Sequence, residues 1–302
     1  IRLEALSRPD DEPGHAVRHR RTSVEARISQ TMLSRLKEII EDFHPDTVIV
    51  EGIPLFALIP HLRLLVPRLV LDMHNVESDL VDRISVRSGI GTAWLNKRGV
   101  QVIERRAAEM VDQIWVCSEV DRERARHLIG TSVPIHVVPN GIPRFETVPT
   151  SLPSQPGKAK GWPVILFAGH LGYPPNVAAA RRLALQILPL VKKAFPLARL
   201  VLAGRSPDPA VVSLGNEPGV DILPDPADMH SVLGAAHVSV MPLDAGGGTR
   251  IKIPEAMAWG VPVVATALAA EGHDFIDGVD ILIAETDEAL AASVVSRCRE
   301  PE

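Results

Sequence analysis

Residues 241–260 read MPLDAGGGTRIKIPEAMAWG, and the order of residue types in that stretch decides the fold class. An apolar run, 238–241, ends here as a buried strand would. Three glycines follow, Gly246, Gly247 and Gly248, then Thr249, Arg250 and Lys252. Pro254 predicts the first position of a helix, where its missing N–H costs nothing. A glycine-rich loop feeding a helix N-terminus is an anion site, because free N–H groups and the positive dipole end point at the ligand. Glycine lets the backbone approach a phosphate closely. Arg250 and Lys252 add full charges that can neutralise a diphosphate. Glu255, in the first helical turn, is placed to accept hydrogen bonds from ribose hydroxyls. The same residues also fit a flexible loop with two solvated cations. Neither the GxxxxGK[ST] of a P-loop nor the GxGxxG of a dinucleotide site is present in the stretch.

Working outward, apolar runs of strand length alternate with helical patterns along the whole chain, which predicts parallel sheets built from βαβ units. In the first half, 46–51 (DTVIVE), 68–72, 113–117 and 135–138 read as strands, with helices at 23–42, around 100–111 and at 119–128. Ser118 is the expected N-cap of the last helix. In the second half, 164–168 (VILFA), 199–203, 220–223, 238–241 and 261–265 read as strands. Helices are expected at 176–195 and 226–235, with another opening at 254. Residues 148–163 (VPTSLPSQPGKAKGWP) have no apolar period and read as a linker. The expected domains are therefore 1–150 and 151–302, two Rossmann-like doubly wound folds with ligand bound at the carboxyl ends of the strands, in a cleft between them. The chain opens on IRLEALSRP, read as a strand already inside a sheet, and closes just after a helical pattern. A first strand and a last helix are accordingly expected to be missing.

Composition narrows the function. The 302 residues are 46% hydrophobic and 23% charged, with a net charge of −5 spread over both halves. A nucleic-acid binder usually shows a basic domain, and aromatic stacking platforms are scarce at 4%. The basic run 15–21 reads as a solvated surface. The two cysteines, Cys117 and Cys298, lie far apart with no CxxC partner, so neither a disulfide framework nor a zinc site is expected. No apolar run approaches the length of a membrane span. No cofactor and no metal site is read from the sequence.

The segment 246–266, GGGTRIKIPEAMAWGVPVVAT, followed by AAEG at 269–272, resembles the nucleotide-sugar-binding signature of retaining glycosyltransferase family 4. FAGHLGYPPNVAAA (167–180), LVLAGRSPDP (200–209), VVPNGIP (137–143) and LDMHNVESDL (71–80) extend the resemblance over roughly 46–284. It implies the GT-B fold, with an acceptor-side domain first and a nucleotide-sugar domain second. It also implies a donor site formed by Gly169, His170, Arg205, Gly246, Gly247, Gly248, Thr249 and Glu255, with Arg250, Lys252 and His74 as the catalytic group. The usual signature has two glutamates separated by seven residues. Glu255 matches the second, and Gly247 stands at the first. His170 occupies a place where relatives often carry a basic residue for the diphosphate.

The implied reaction moves a sugar from a nucleoside-diphosphate donor to a saccharide or glycolipid acceptor, without metal. Cations and a helix N-terminus would lower the barrier to departure of the diphosphate. A donor phosphate oxygen would help deprotonate the acceptor. Asn75 and Glu77 could shape the acceptor pocket, and 223–226 could receive the base. Asn140-Gly141 reads as a turn, and Asn176, after Tyr173, as a helix cap. A cytoplasmic location follows, with peripheral contact at the inner face of the membrane left open. Two other readings stand beside transfer: an epimerase or hydrolase on the same fold, and a donor-binding module without activity.

Overall fold

The structure, a computed structural model, describes residues 28–88, 93–142 and 163–299. The expected strand at 1–9, the basic run at 15–21 and, but for Pro163, the linker at 148–163 lie outside the described residues. The chain divides into two compact units, Ile1–Pro139 and Asn140–Glu302.

The first unit runs α1 (Gln30–Phe43), β1 (Thr47–Glu51), a 3₁₀ turn leading into α2 (Ile59–Leu62), β2 (Arg68–Met73), α3 (Glu77–Ser88), α4 (Ala93–Met110), β3 (Gln113–Val116), α5 (Glu119–Ile129) and β4 (Ile135–Val137). Its strands form one parallel sheet in chain order, β1-β2-β3-β4. Val50, Leu69, Leu71, Met73, Ile114 and Val116 point to a single core that also takes Ile40 of α1, Ala107 of α4 and Ala125 of α5. Ser118 caps α5 as expected, accepting from the Asp121 N–H at 3.1 Å. A carboxyl group of α4 is also buried in this unit. Glu104 of α4 is fully buried, and its Oε1 accepts from the Ser78 N–H at 3.2 Å. Burial pushes its pKa from 4.5 up to about 7; the Ser78 hydroxyl and the Ser78 and Glu77 amides oppose the rise, and the Glu77 charge adds to it.

The second unit begins with β5 (Val164–Ala168), then α6 (Pro174–Arg182), a π-helical turn (Leu183–Ile187) and α7 (Leu188–Lys192). The sequence reads as one helix over 176–195. The interruption has a local cause. Pro189 has no N–H for the carbonyl four residues back, and its ring crowds that carbonyl. The wide turn absorbs the conflict, with the Leu188 N–H bonding five residues back to Leu183. After α7 come β6 (Arg199–Gly204), α8 (Pro209–Val212), β7 (Val220–Pro224), α9 (Met229–Ala235), β8 (Val238–Met241), α10 (Lys252–Ala258), β9 (Val263–Ala265), α11 (Ala267–Ala270), β10 (Leu282–Ile283) and α12 (Asp287–Arg299). α9 starts three residues later than the sequence reading because Asp228 caps it, accepting from the His230 N–H at 2.9 Å. α10 starts two residues earlier, so Pro254 is its third residue rather than its first. That position is still tolerated, since the first four N–H groups of a helix have no partner within it.

The strand order of the second sheet, β10-β9-β8-β5-β6-β7, is the feature that places a site. All the pairings are parallel. The unit's first strand lies in the middle; the chain moves outward through β6 and β7, then returns to β8 on the other side. In such sheets the connections from the two central strands diverge, leaving a crevice outside their carboxyl ends. Here those ends are Ala168 of β5 and Met241 of β8. The flat apolar sequence of both strands follows from burial on both faces. Leu166, Phe167, Val238 and Val240 are completely buried. No described helix is long and apolar enough to cross a membrane.

Glu104 makes the first unit pH-sensitive. Its folded pKa lies above the unfolded value, so the native state holds this proton more tightly. Stability is fully present below about pH 4.5 and falls as pH rises through about 7. The loss amounts to at most about 3 kcal/mol. Glu104→Gln removes the titration but keeps an acceptor for Ser78. In urea unfolding from pH 5 to pH 8, the variant should lose less stability than the native chain; parallel curves would contradict the assignment.

Candidate active site

Two glycines bring the strand ends together at the crevice. Gly204, at the end of β6, has φ 147°, and a Cβ there would stand 1.6 Å from the Gly169 carbonyl oxygen. Gly169 continues β5, its N–H donating to the Ala203 carbonyl at 2.9 Å. A Cβ at Gly169 would fall 2.2 Å from Lys252 Nζ. The Lys252 ammonium thus fills the space left by a missing side chain. It stands 3.4 Å from Asn176 Oδ1 and 5.6 Å from the centroid of the Phe167 ring. Burial lowers its pKa from 10.5 to about 8, helped by the Arg250 charge and opposed by Glu255.

Asn176 therefore has a different task from the one read in the sequence. Tyr173 is the N-cap of α6. Asn176 lies within the first turn, only 4% exposed, and its Nδ2 donates to the His170 carbonyl at 2.9 Å. It links the loop after β5 to Lys252. The His170 ring and Arg205 are exposed. The Arg205 carbonyl accepts from the Leu171 N–H at 2.9 Å, so the loops after β5 and β6 run side by side. At the end of β7, the Asp225 N–H bonds the Gly204 carbonyl at 2.9 Å.

The glycine loop after β8 is anchored at both ends. Arg182 of α6 bonds Asp244 at 3.1 Å, Asp287 at 2.6 Å and the Pro242 carbonyl at 3.3 Å. Thr266 donates to the Leu243 carbonyl at 2.6 Å. Gly246 and Gly248 have φ 138° and 64°, a backbone that side chains resist. Arg250 folds back and donates to the carbonyls of Gly247 and Gly248. Thr249 accepts from Asn140 Nδ2 at 2.7 Å. The two cations read as a pair in the sequence are thus separated in role: Arg250 holds the loop, while Lys252 faces the crevice.

Glu255 lines a cavity of about 140 Å³ together with Lys252, Ser239, His230 and Trp259. Burial raises the Glu255 pKa, and Lys252 and His230 oppose the rise. His230 and Trp259 stack at 4.8 Å between ring centroids. Ser239 is 1% exposed, and its Oγ has no hydrogen-bond partner. The sequence reading singled out none of these three. Trp259 alone left a signal there, four residues after Glu255 on the same helix face.

His74 belongs to the first unit. It follows β2 and is exposed, with its carbonyl 3.9 Å from Cys117 Sγ. Asn75 Nδ2 donates to Glu77 Oε1 at 3.3 Å. Burial raises the pKa of Asp72, which His74 opposes and Glu51 reinforces. Among the described residues no group of three His, Cys, Asp or Glu could hold a metal ion.

The Gly204 contact is directly testable. Gly204→Ala should cost at least about 2 kcal/mol, because strained backbone and a clash with backbone coincide. Gly130→Ala is the control: φ is 66°, but nothing lies within 4 Å of its Cβ, so only the left-handed backbone penalty, about 1 kcal/mol, is expected. Chemical unfolding compares them, and equal losses would contradict the close approach.

With this geometry established, the chain can be set beside known proteins. Residues 2–141 match the family model "Glycosyl transferase 4-like domain" and residues 162–299 the model "Glycosyl transferases group 1". No curated protein matches in sequence. Among solved structures, Anabaena HepE in complex with UDP and glucose is similar at 16% identity and TM-score 0.63, covering 90% of this chain and 72% of that one. Sucrose-phosphate synthase from Thermosynechococcus elongatus is similar at 19% identity and TM-score 0.65, over 91% and 72%. The UDP-forming trehalose-phosphate synthase of Burkholderia xenovorans in complex with glucose-6-phosphate gives 10% identity and TM-score 0.66, over 90% and 70%. At such identities the likeness shows the fold. With both halves matched by glycosyl transferase models and two parallel α/β sheets of this kind, the chain belongs to the glycosyltransferases of GT-B fold.

Proposed function

We propose that the protein is a retaining glycosyltransferase that moves a hexosyl or related sugar from a nucleoside-diphosphate donor to a hydroxyl of a saccharide or glycolipid. The carrying observation is Lys252, a half-buried cation beside Gly169 at the crevice of the second sheet. UDP in the HepE structure supports a nucleoside diphosphate as the donor's leaving group. Residues 151–302 take the donor and residues 1–150 the acceptor side. The reaction needs no metal and no cofactor, and it runs in the cytoplasm or at the inner membrane face.

The physical steps follow from charge. As the glycosidic bond breaks, negative charge grows on the diphosphate. Lys252, partly buried, meets that charge where water competes less than at an open surface, so its interaction strengthens in the transition state. Gly246–Gly248, held open by Arg250, offer backbone N–H groups without reorganisation. Gly169 leaves the space that the Lys252 ammonium fills, and His170, Arg205 and Thr249 border the same crevice. Glu255 holds the ribose, which does not change during reaction. His74 serves the sugar or acceptor from the first unit. A donor phosphate oxygen on the same face of the sugar takes the acceptor proton, so no separate nucleophile is required.

Steady-state kinetics test the assignment, with the donor found by thermal shift among UDP-, GDP- and ADP-sugars. Lys252→Ala should lower kcat on the order of 100-fold or more, the scale of one lost transition-state contact. Arg250→Ala should reduce both kcat and affinity by loosening the loop. Glu255→Ala should mostly raise the donor KM. Near-normal kcat/KM in all three would remove the site. Donor binding without turnover by the native chain would favour the inactive-module reading, which Gly247 in the place of a glutamate supports.

The pH profile carries its own sign. Lys252 is cationic below about pH 8 in the free protein and neutral above it. kcat/KM should therefore fall as pH rises through about 8, and Lys252→Arg should carry that limb upward, since guanidinium keeps its proton. An unmoved limb would assign it to another group. Turnover should also persist in EDTA; a strict need for Mg²⁺ or Mn²⁺ would refute the metal-free mechanism.

A further inference from the structure

Glu104 is a buried ionisable group that the mechanism above does not use. It lies on α4 in the first unit, fully removed from water. Withdrawing a carboxyl from water costs several kcal/mol unless partners replace the solvent. Those partners are all at one place. Oε1 accepts from the Ser78 N–H at 3.2 Å, while Oε2 and the Ser78 hydroxyl are buried without a hydrogen-bond partner of their own. Ser78 is the second residue of α3, where N–H groups have no partner within the helix. The acceptor thus comes from 26 residues along the chain. A carboxylate there also meets the positive end of the α3 dipole.

What precedes α3 gives this contact its meaning. Between the end of β2 at Met73 and the start of α3 at Glu77 lie only three residues, His74, Asn75 and Val76. Met73 and Val76 are buried at 1% and 3% exposure, while His74 is exposed. The strand fixes one end of this short segment, and Ser78 anchors the other. α4 is itself held firmly: Gln101 Nε2 donates to the Leu128 carbonyl of α5 at 2.7 Å, and Lys97 pairs with Asp82 of α3 at 2.5 Å. A three-residue loop clamped at both ends has few conformations, so the place of the imidazole depends on where α3 begins.

We propose that Glu104 is a positioning residue for glycosyl transfer: by accepting the amide at the start of α3 it fixes the His74–Val76 segment, and with it the His74 imidazole, at the carboxyl end of β2. The proposal rests on the functional reading that gives His74 a part in the reaction. It assigns Glu104 no contact with substrate.

The test uses the full chain with substitutions Glu104→Leu, Glu104→Gln and Glu104→Asp, each also combined with His74→Ala. Glu104→Leu removes the acceptor, Glu104→Asp keeps the charge but draws it back by one carbon, and Glu104→Gln keeps an acceptor in place. Amide hydrogen exchange, which needs no substrate, should show peptides spanning 72–78 exchanging at least tenfold faster in Glu104→Leu or Glu104→Asp, with 119–129 unchanged and Glu104→Gln near the native chain. With the donor identified by thermal shift, Glu104→Asp and Glu104→Leu should lower kcat about tenfold at unchanged donor KM. They should add nothing once His74 is alanine. Should Glu104→Leu fail to fold, Glu104→Asp carries the same comparison. Exchange that is unchanged at 72–78, or raised equally across the unit, would overturn the positioning role even in an active enzyme. Full additivity with His74→Ala would overturn its link to the imidazole. Absence of turnover by the native chain with every donor would refute the transferase reading and the catalytic half of the proposal, leaving the exchange result to judge the positional half.

Discussion

The ammonium of Lys252 occupies the volume that a side chain at position 169 would need, and the rest of the crevice is arranged around that exclusion. Gly169 must lack a Cβ for Lys252 to lie there. Gly204 must lack one for β6 to run against Gly169. Asn176 must sit inside the first turn of α6 to reach both the His170 carbonyl and Lys252. One cation placed from α10 thus constrains the ends of two strands and the start of a helix.

Burial makes that cation useful and also conditional. Its charge acts strongly because water is displaced, and for the same reason its proton is held less tightly than in solution. Glu255 partly offsets the cost from the same helix, and its own pKa rises through burial. Arg250 raises the cost, yet its guanidinium is taken up by the Gly247 and Gly248 carbonyls. The guanidinium thereby ties the glycine loop back onto the start of α10. Preorganised donors of this kind do not have to be ordered when ligand arrives.

The first unit uses the same device with opposite charge. Glu104 is fully buried behind the carboxyl end of its sheet, Lys252 is half-buried at that of the second, and each bonds to a neighbouring segment. In both cases a titratable group costs folding energy in its charged form. The pKa values, pushed up to about 7 and down to about 8, record that cost. Glu104 stands behind the loop that carries His74, whereas Lys252 borders the crevice itself.

Much of the fold was legible in the sequence because it depends on local pattern. Flat apolar runs such as VILFA and VSVM mark strands buried on both faces, glycines mark the loop after β8, and Ser118 marks a helix start. Where the reading went astray, the cause was a contact distant in sequence or a conflict inside an element. Pro189 turned one expected helix into two joined by a π-helical turn, and Asn176 proved to be a partner of Lys252 rather than a cap. Strand order was beyond reach altogether, because parallel pairing links residues whose spacing in the chain carries no register. The sequence by itself determined the alternation of strands and helices, the glycine loop, and the residues Arg250, Lys252 and Glu255 as a charged group near a helix start. Only the tertiary structure decided that Arg250 turns inward to the loop while Lys252 sinks against Gly169, and that Glu104, Ser239 and His230 are part of the account at all. Burial and distance between remote segments set those outcomes, and neither is written in the spacing of residues along a chain.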